Sequence, residues 1–359
     1  MKKIIIQIII VSVLLISLFA CDRFEHNFAP DDPQETPIQK FKDELTDIIT
    51  NLGPSQMHED SLATLYSDDY LNNGTTKQEM LNYFMDLTLI DSIKFTIDSL
   101  QFNPQTDEFS WHFSAFWENQ TFADTTFNDI LAMTDSVYQF YGNQSYGKTN
   151  VFVEFASTTT CNNCPQISSK LKELESENDN FIFITACGNK PDTPSQYIDD
   201  FLWYYPFSGV FPTSFFQGQF KLEGSTQAVI DEYDTRLSQI SEWEAQALIS
   251  NIQITEKKGE VEGSVDLTIS EDVLLDDLYL RCALVEKESS LQYYHSDYMH
   301  NVVFGYEKIE VNNYNTTINF MVSSYYDTLP DDTEIIFWLQ RMPADYDEDT
   351  CKIIAVKKR

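Results

Sequence analysis

Basic side chains are scarce in this sequence. There are 23 Lys and Arg against 57 Asp and Glu, for a formal charge of −34. Gripping a nucleic-acid backbone takes clustered Lys and Arg, so a nucleic-acid partner is excluded. Glycine is scarce too, at 11 in 359 residues, which excludes collagen-like and Gly-linker architectures. No repeat at a solenoid period is present. There is no Ser-His-Asp constellation, phosphate loop or metalloprotease helix. Apolar residues are plentiful. At 42% hydrophobic and 14% aromatic, the chain can bury cores and is not a disordered acidic tail. Its length suggests two or three domains.

The first twenty residues read as a secretory signal. Lys2 and Lys3 precede an apolar run over residues 4–20, and Cys21 follows where the sequence turns charged. The alternative is an uncleaved membrane anchor, near the lower limit of spanning length. Leu18-Phe19-Ala20-Cys21 resembles a bacterial lipobox, although Phe19 departs from the usual small residue. The resemblance implies that Cys21 is the lipid attachment site. The protein is then held at a membrane of the cell envelope, periplasmic or surface-facing. Disulfides persist in such compartments.

Residues 21–37, with three prolines, read as a flexible tether. Residues 38–145 read as a small α+β domain. Phe41, Leu45 and Ile49 recur at helical spacing. A second helix is expected at 60–66, and a third at 77–87 with Thr75 or Thr76 as its cap. Strands follow over 93–98 and 109–114, with a last pair over 128–141. The loop Leu65 to Gly74, followed by a helix and long strands, resembles the nuclear-transport-factor-two-like cone. In that reading Trp111, His112 and Trp117 either line a pocket or form a packed strand face.

Residues 148–241 carry the clearest chemistry. Val151-Phe152-Val153 reads as a buried strand, and Cys161-Asn162-Asn163-Cys164-Pro165 follows at a helix start. A strand over 181–187, a helix over 196–205, a strand opening on Pro212-Thr213, a hairpin and a helix over 226–240 complete the unit. This order resembles thioredoxin. The resemblance implies attack by Cys161, resolution by Cys164, a cis Pro212 facing the disulfide, and Glu154 as the buried acid that shuttles a proton. Glu154 lies about one position further from Cys161 than the family's acid does. A lone C-x-x-C is also half of a zinc site, but nothing is placed to complete one. No metal and no cofactor are expected.

Residues 246–359 read as an antiparallel β-sandwich. Its strands are expected at 247–249, 265–269, 278–284, 316–322, 335–339 and 353–356. Cys282 and Cys351 lie in or beside these strands and are candidates for a structural disulfide. Cys187 reads as a core thiol.

The residues Val153-Glu154-Phe155, the C-x-x-C-P, Phe211-Pro212-Thr213, Leu284-Val285-Glu286 and His300-Asn301-Val302-Val303 together resemble a family. It comprises exported lipoproteins related to outer membrane protein twenty-eight. Two functions stay open. One is thiol–disulfide exchange on extracytoplasmic protein thiols. The other is a binding or scaffold lipoprotein for an envelope partner, with the thioredoxin fold purely structural.

Overall fold

The computed structural model describes residues 36–118, 120–189, 193–202, 204–293, 298–346 and 351–359. The signal-like segment, Cys21 and most of the tether lie outside the described residues. The described chain is a mixed α/β protein dominated by strands, with six helices and four sheets. None of these helices is long and apolar enough to cross a membrane.

Helix α1 (Pro37–Thr50) begins where local chemistry favours it. The Thr36 hydroxyl accepts from the Gln39 N–H at 3.3 Å, and Pro37 fills a position that needs no N–H. Phe41, Leu45 and Ile49, four residues apart, share the buried face. Helix α2 (Gln56–Thr64), strands β1 (Leu71–Asn72) and β2 (Thr75–Thr76), and α3 (Lys77–Thr88) follow. Thr76 caps α3 reciprocally with Glu79.

Strands β3 (Lys94–Asn103), β4 (Glu108–Trp117), β5 (Gln120–Thr134) and β6 (Val137–Phe140) form an antiparallel sheet in chain order. The interior between helices and sheet is filled by rings. Trp111 is fully buried, stacks on Phe127 at 4.7 Å between centroids, and meets Phe84 and Phe140. Trp117 is exposed, and His112 lies between Asp98 and Asp124 at 3.1 and 3.0 Å. Trp111 is therefore packed into the core as a strand face, whereas Trp117 is exposed and His112 stands at the surface between two carboxylates.

Strand β7 (Val151–Ser157), α4 (Cys164–Glu177), β8 (Phe181–Cys187), α5 (Ser195–Leu202), β9 (Thr213–Phe216), β10 (Phe220–Glu223) and α6 (Gln227–Ser241) follow the element order read from the sequence. β7 and β8 are parallel, and β9 runs antiparallel to β7.

The C-terminal segment corrects the expectation of a separate sandwich. Strands β11 (Ala247–Lys257), β12 (Glu260–Ile269) and β15 (Asn315–Ser323) form one small sheet. Strands β13 (Leu278–Gln292), β14 (Tyr298–Glu310), β16 (Thr333–Arg341) and β17 (Ile353–Lys358) instead extend the central sheet. The resulting order is β10-β9-β7-β8-β14-β13-β16-β17. The junction is β14 beside β8. Val302 pairs with Thr185, the Thr185 hydroxyl donates to His300 O at 2.7 Å, and the Asn301 amide donates to Phe183 O at 3.0 Å. Two layers do face each other across Val265, Leu280, Phe320 and Phe337, but one layer is part of the shared sheet.

The far edge of that sheet returns to its beginning. Ile353 N–H donates to Gln217 O at 3.0 Å, and the Asn150 amide donates to Val356 O at 2.9 Å. Gly218, at φ +74°, sits at this closure. A Cβ there would stand 2.6 Å from Cys351 O, so the position needs glycine for both space and conformation.

On the N-terminal sheet, Asp129 is 4% exposed, and burial pushes its carboxyl up to about 6. The unfolded carboxyl titrates near 3.8. The folded state therefore binds the proton more tightly. This contribution is complete below the unfolded value and is lost as pH rises through about 6. Asp129→Asn should gain stability relative to wild type between pH 4 and 8, by roughly 2–3 kcal/mol. Urea melts across that range measure it. A gap that does not change with pH would refute the assignment.

Candidate active site around the Cys161–Cys164 disulfide

Strand β7 ends at Ser157, and a short loop carries the chain to α4. Cys161 and Cys164 are joined by a disulfide, with Cα atoms 5.5 Å apart. Cys164 is fully buried, whereas Cys161 is partly exposed. The Cys164 N–H, at the start of α4, donates to Cys161 Sγ at 3.1 Å. An unpaired helix amide directed at sulfur is the type of contact that stabilises a thiolate. Thr160, Asn162 and Asn163 beside the pair are exposed and uncharged.

Pro212 stands at the same end of the sheet. Its peptide bond with Phe211 is cis, and Thr213 pairs with Ala156 one residue short of the end of β7. Pro212 O accepts from Gly224 N–H at 2.9 Å. A Cβ on Gly188 would meet both the Phe211 ring, at 3.4 Å, and the Thr158 side chain, at 3.8 Å. The Phe211–Pro212 turn therefore packs beside the loop that leads to Cys161. Phe211 and Cys161 border the same core.

Glu154 is not at this site. Val153 and Phe155 point into the core that Cys161 and Cys164 share. Glu154, between them, points to the opposite face. Alternation along a strand makes this unavoidable: with Val153 and Phe155 in that core, the residue between them faces the other layer. The proton-shuttle expectation fails for that reason, and Glu154 is fully buried on the other face.

There Glu154 anchors a polar network that the sequence reading missed. Its Oε1 lies 3.3 Å from Arg281 Nη1, and Tyr197 and Tyr205 both donate to the carboxylate. Arg281 Nε donates to the Tyr306 hydroxyl at 2.7 Å, and Tyr306 donates to Asp200 at 2.8 Å. The guanidinium carbon lies 4.7 Å from the Trp338 ring centroid. Burial pushes the Glu154 carboxyl up, while Arg281 and the two phenols pull it back. A sequence signal existed. One acid interrupts an apolar strand at 154, and one base interrupts another at 281.

The expected Cys282–Cys351 bridge is absent, and both residues are buried thiols. Cys282 lies mid-strand in β13, opposite Phe337 on β16, and faces the small sheet. Cys351 precedes β17, and its thiol donates to Gly218 O at 3.0 Å. Cys187 ends β8 opposite Ser157 and is buried in the core below the disulfide. No cluster of three or more His, Cys, Asp or Glu among the described residues could hold a metal. Cys21 lies outside the described residues.

No known protein family matches this chain, and no curated protein does. Among solved structures, HBP35 of Porphyromonas gingivalis is similar at 14% identity, over 59% of this chain and 75% of that one, with a TM-score of 0.47. A protein of Agrobacterium tumefaciens is similar at 13% identity, over 59% and 94% of the two chains, with a TM-score of 0.40. A chain described as an NTF2 with a long sheet covers 29% of this one at 14% identity, with a TM-score of 0.22. Likenesses this distant assign neither family nor activity.

Two variants separate the network from the disulfide. Arg281→Met leaves a carboxylate buried without its cation and should cost about 3–5 kcal/mol in denaturant melts. Adding Glu154→Gln should recover most of that loss. Glu154→Gln alone should leave the reduction potential of the pair in place. A shift beyond about 30 mV, a tenfold change for two electrons, would mean that Glu154 acts on the cysteines.

Proposed function

We propose that this protein is an exported, lipid-anchored thiol–disulfide exchange protein whose β7–α6 segment is a thioredoxin-like unit. The observation that carries the reading is the Cys161–Cys164 disulfide, with one sulfur partly exposed and one buried, at the start of α4. The strand order β10-β9-β7-β8 and the cis peptide before Pro212 support it. So does the resemblance of the surrounding motifs to exported lipoproteins related to outer membrane protein twenty-eight.

The exchange runs on this chain's two sulfurs once an external thiol reductant has opened the Cys161–Cys164 bond to the dithiol. The Cys161 thiolate attacks a substrate disulfide, forms a mixed disulfide and releases one substrate thiolate. The Cys164 thiolate then attacks Cys161 Sγ, breaks the mixed bond and releases the second thiolate. The substrate gains two electrons, and the Cys161–Cys164 bond returns. Pro212 shapes the surface on which the substrate strand lies. A groove of about 950 Å³ begins at Pro165, next to Cys164 in the chain, and runs between α4 and the β13–β14 hairpin.

Redox titration against glutathione tests the reading. The pair should equilibrate between about −120 and −270 mV, the range of known exchange proteins. Cys161→Ser should abolish reduction of a test disulfide, and Cys164→Ser should trap a mixed disulfide. A pair that stays oxidised below about −300 mV favours the scaffold reading, with the outer units as binding modules. Anchoring is tested separately. Cells fed labelled palmitate should label the protein, and Cys21→Ser should remove the label. A label that persists in the variant would refute attachment at Cys21.

A further inference from the structure

A cavity of about 510 Å³ opens beside the N-terminal sheet, far in sequence from the disulfide and untouched by the exchange chemistry. Its volume falls within the usual span of small-molecule sites. It is walled by the ends of β3 and β4, the middle of β5, and the loop after β1. This is not the ring-filled interior around Trp111.

The lining is unusual in chemistry. Five asparagines meet there: Asn72, Asn73, Asn103, Asn128 and Asn143. Two carboxyls, Glu108 and Asp129, join them, and no Lys, Arg or His does. The wall therefore offers no countercharge to an anion. Each primary amide offers two donors and an acceptor, and each carboxylate accepts more than one hydrogen bond. Vicinal hydroxyls, which donate and accept at once, match that set.

Part of the wall is already held in place. Asn72 Nδ2 donates to Asn128 O and to Asp129 Oδ1, both at 2.9 Å, and Asn143 Nδ2 donates to Asn73 Oδ1 at 2.8 Å. Asp129 is 96% buried, with its Oδ1 on the Asn72 amide and its Oδ2 beside the Tyr70 hydroxyl, so it braces the wall from behind. The side chains of Gln101, Asn103 and Asn128 are exposed at the rim. Phe102, half-buried in the same wall, supplies an apolar face.

We propose that this cavity binds a carbohydrate of one or two rings. The amides take its hydroxyls, and Phe102 takes the C–H face of a ring.

The test is calorimetric titration of the intact protein in detergent. The probes are glucose, galactose, mannose, N-acetylglucosamine, cellobiose and lactose, each up to about 10 mM. At least one should bind with a Kd of about 1 mM or tighter. Gln101→Ala and Asn128→Ala alter side chains at the rim, so both variants should fold with an unchanged thermal midpoint. Each should weaken binding about tenfold. Reducing the Cys161–Cys164 pair should leave sugar binding intact. The proposal is overturned if none of these sugars binds, or if binding survives in both variants. It is also overturned if putrescine, a diamine, binds there and the sugars do not.

Discussion

The contact between Glu154 and Arg281 holds the larger part of this molecule together. The two residues sit on β7 and β13, with β8 and β14 between them in the sheet. On a flat sheet such strands would lie about 14 Å apart. Their charged atoms are 3.3 Å apart because both long side chains reach toward each other on the same face of the sheet. Neither charge can be given up singly. A buried ion that loses its partner costs several kcal/mol, whereas the pair with its hydrogen bonds roughly offsets its own desolvation. The pair also fixes register. A slip of one residue would turn Glu154 among Phe183, Leu171 and Ile167 on the other face.

The same alternation keeps the disulfide and the buried ion pair apart. Odd positions of β7 face the core under the cysteines, and even positions face the aromatic layer of Tyr197, Phe201 and Tyr205. The disulfide stands at the C-terminal end of β7, with cis Pro212 beside it and one exposed sulfur. Breaking and remaking that bond changes contacts at one end of one layer. The ion pair that ties β7 to the C-terminal strands is on the other layer and need not respond.

Much of this was legible in the sequence, and what was not has a physical cause. The helices around Phe41 and Met80 show a one-sided apolar period, and caps mark their starts. The C-x-x-C, its helix and Pro212 are local signals and appear where expected. Strand β14 was not recognised. Val302, Val303 and Phe304 are all buried because helices and sheet cover both faces, so no period of two exists to read. Missing that strand hid the junction with β8, and with it the shared sheet. The Cys282–Cys351 expectation failed similarly. Both residues are near strands, but spacing along the chain does not say which faces they occupy.

The N-terminal unit shows how a filled core still leaves room for chemistry. Its aromatic residues consume the interior, so an activity that needs a central cone has no space. Polar capacity collects instead at the ends of β3 and β4 and along the middle of β5, where side chains satisfy each other. Asn72 bridges Asn128 and Asp129 there, and Asn143 locks to Asn73. Such cross-links order a polar wall before any ligand arrives, which lowers the entropy that binding must spend. The apolar packing that excludes a central pocket is therefore also what holds the peripheral one in shape.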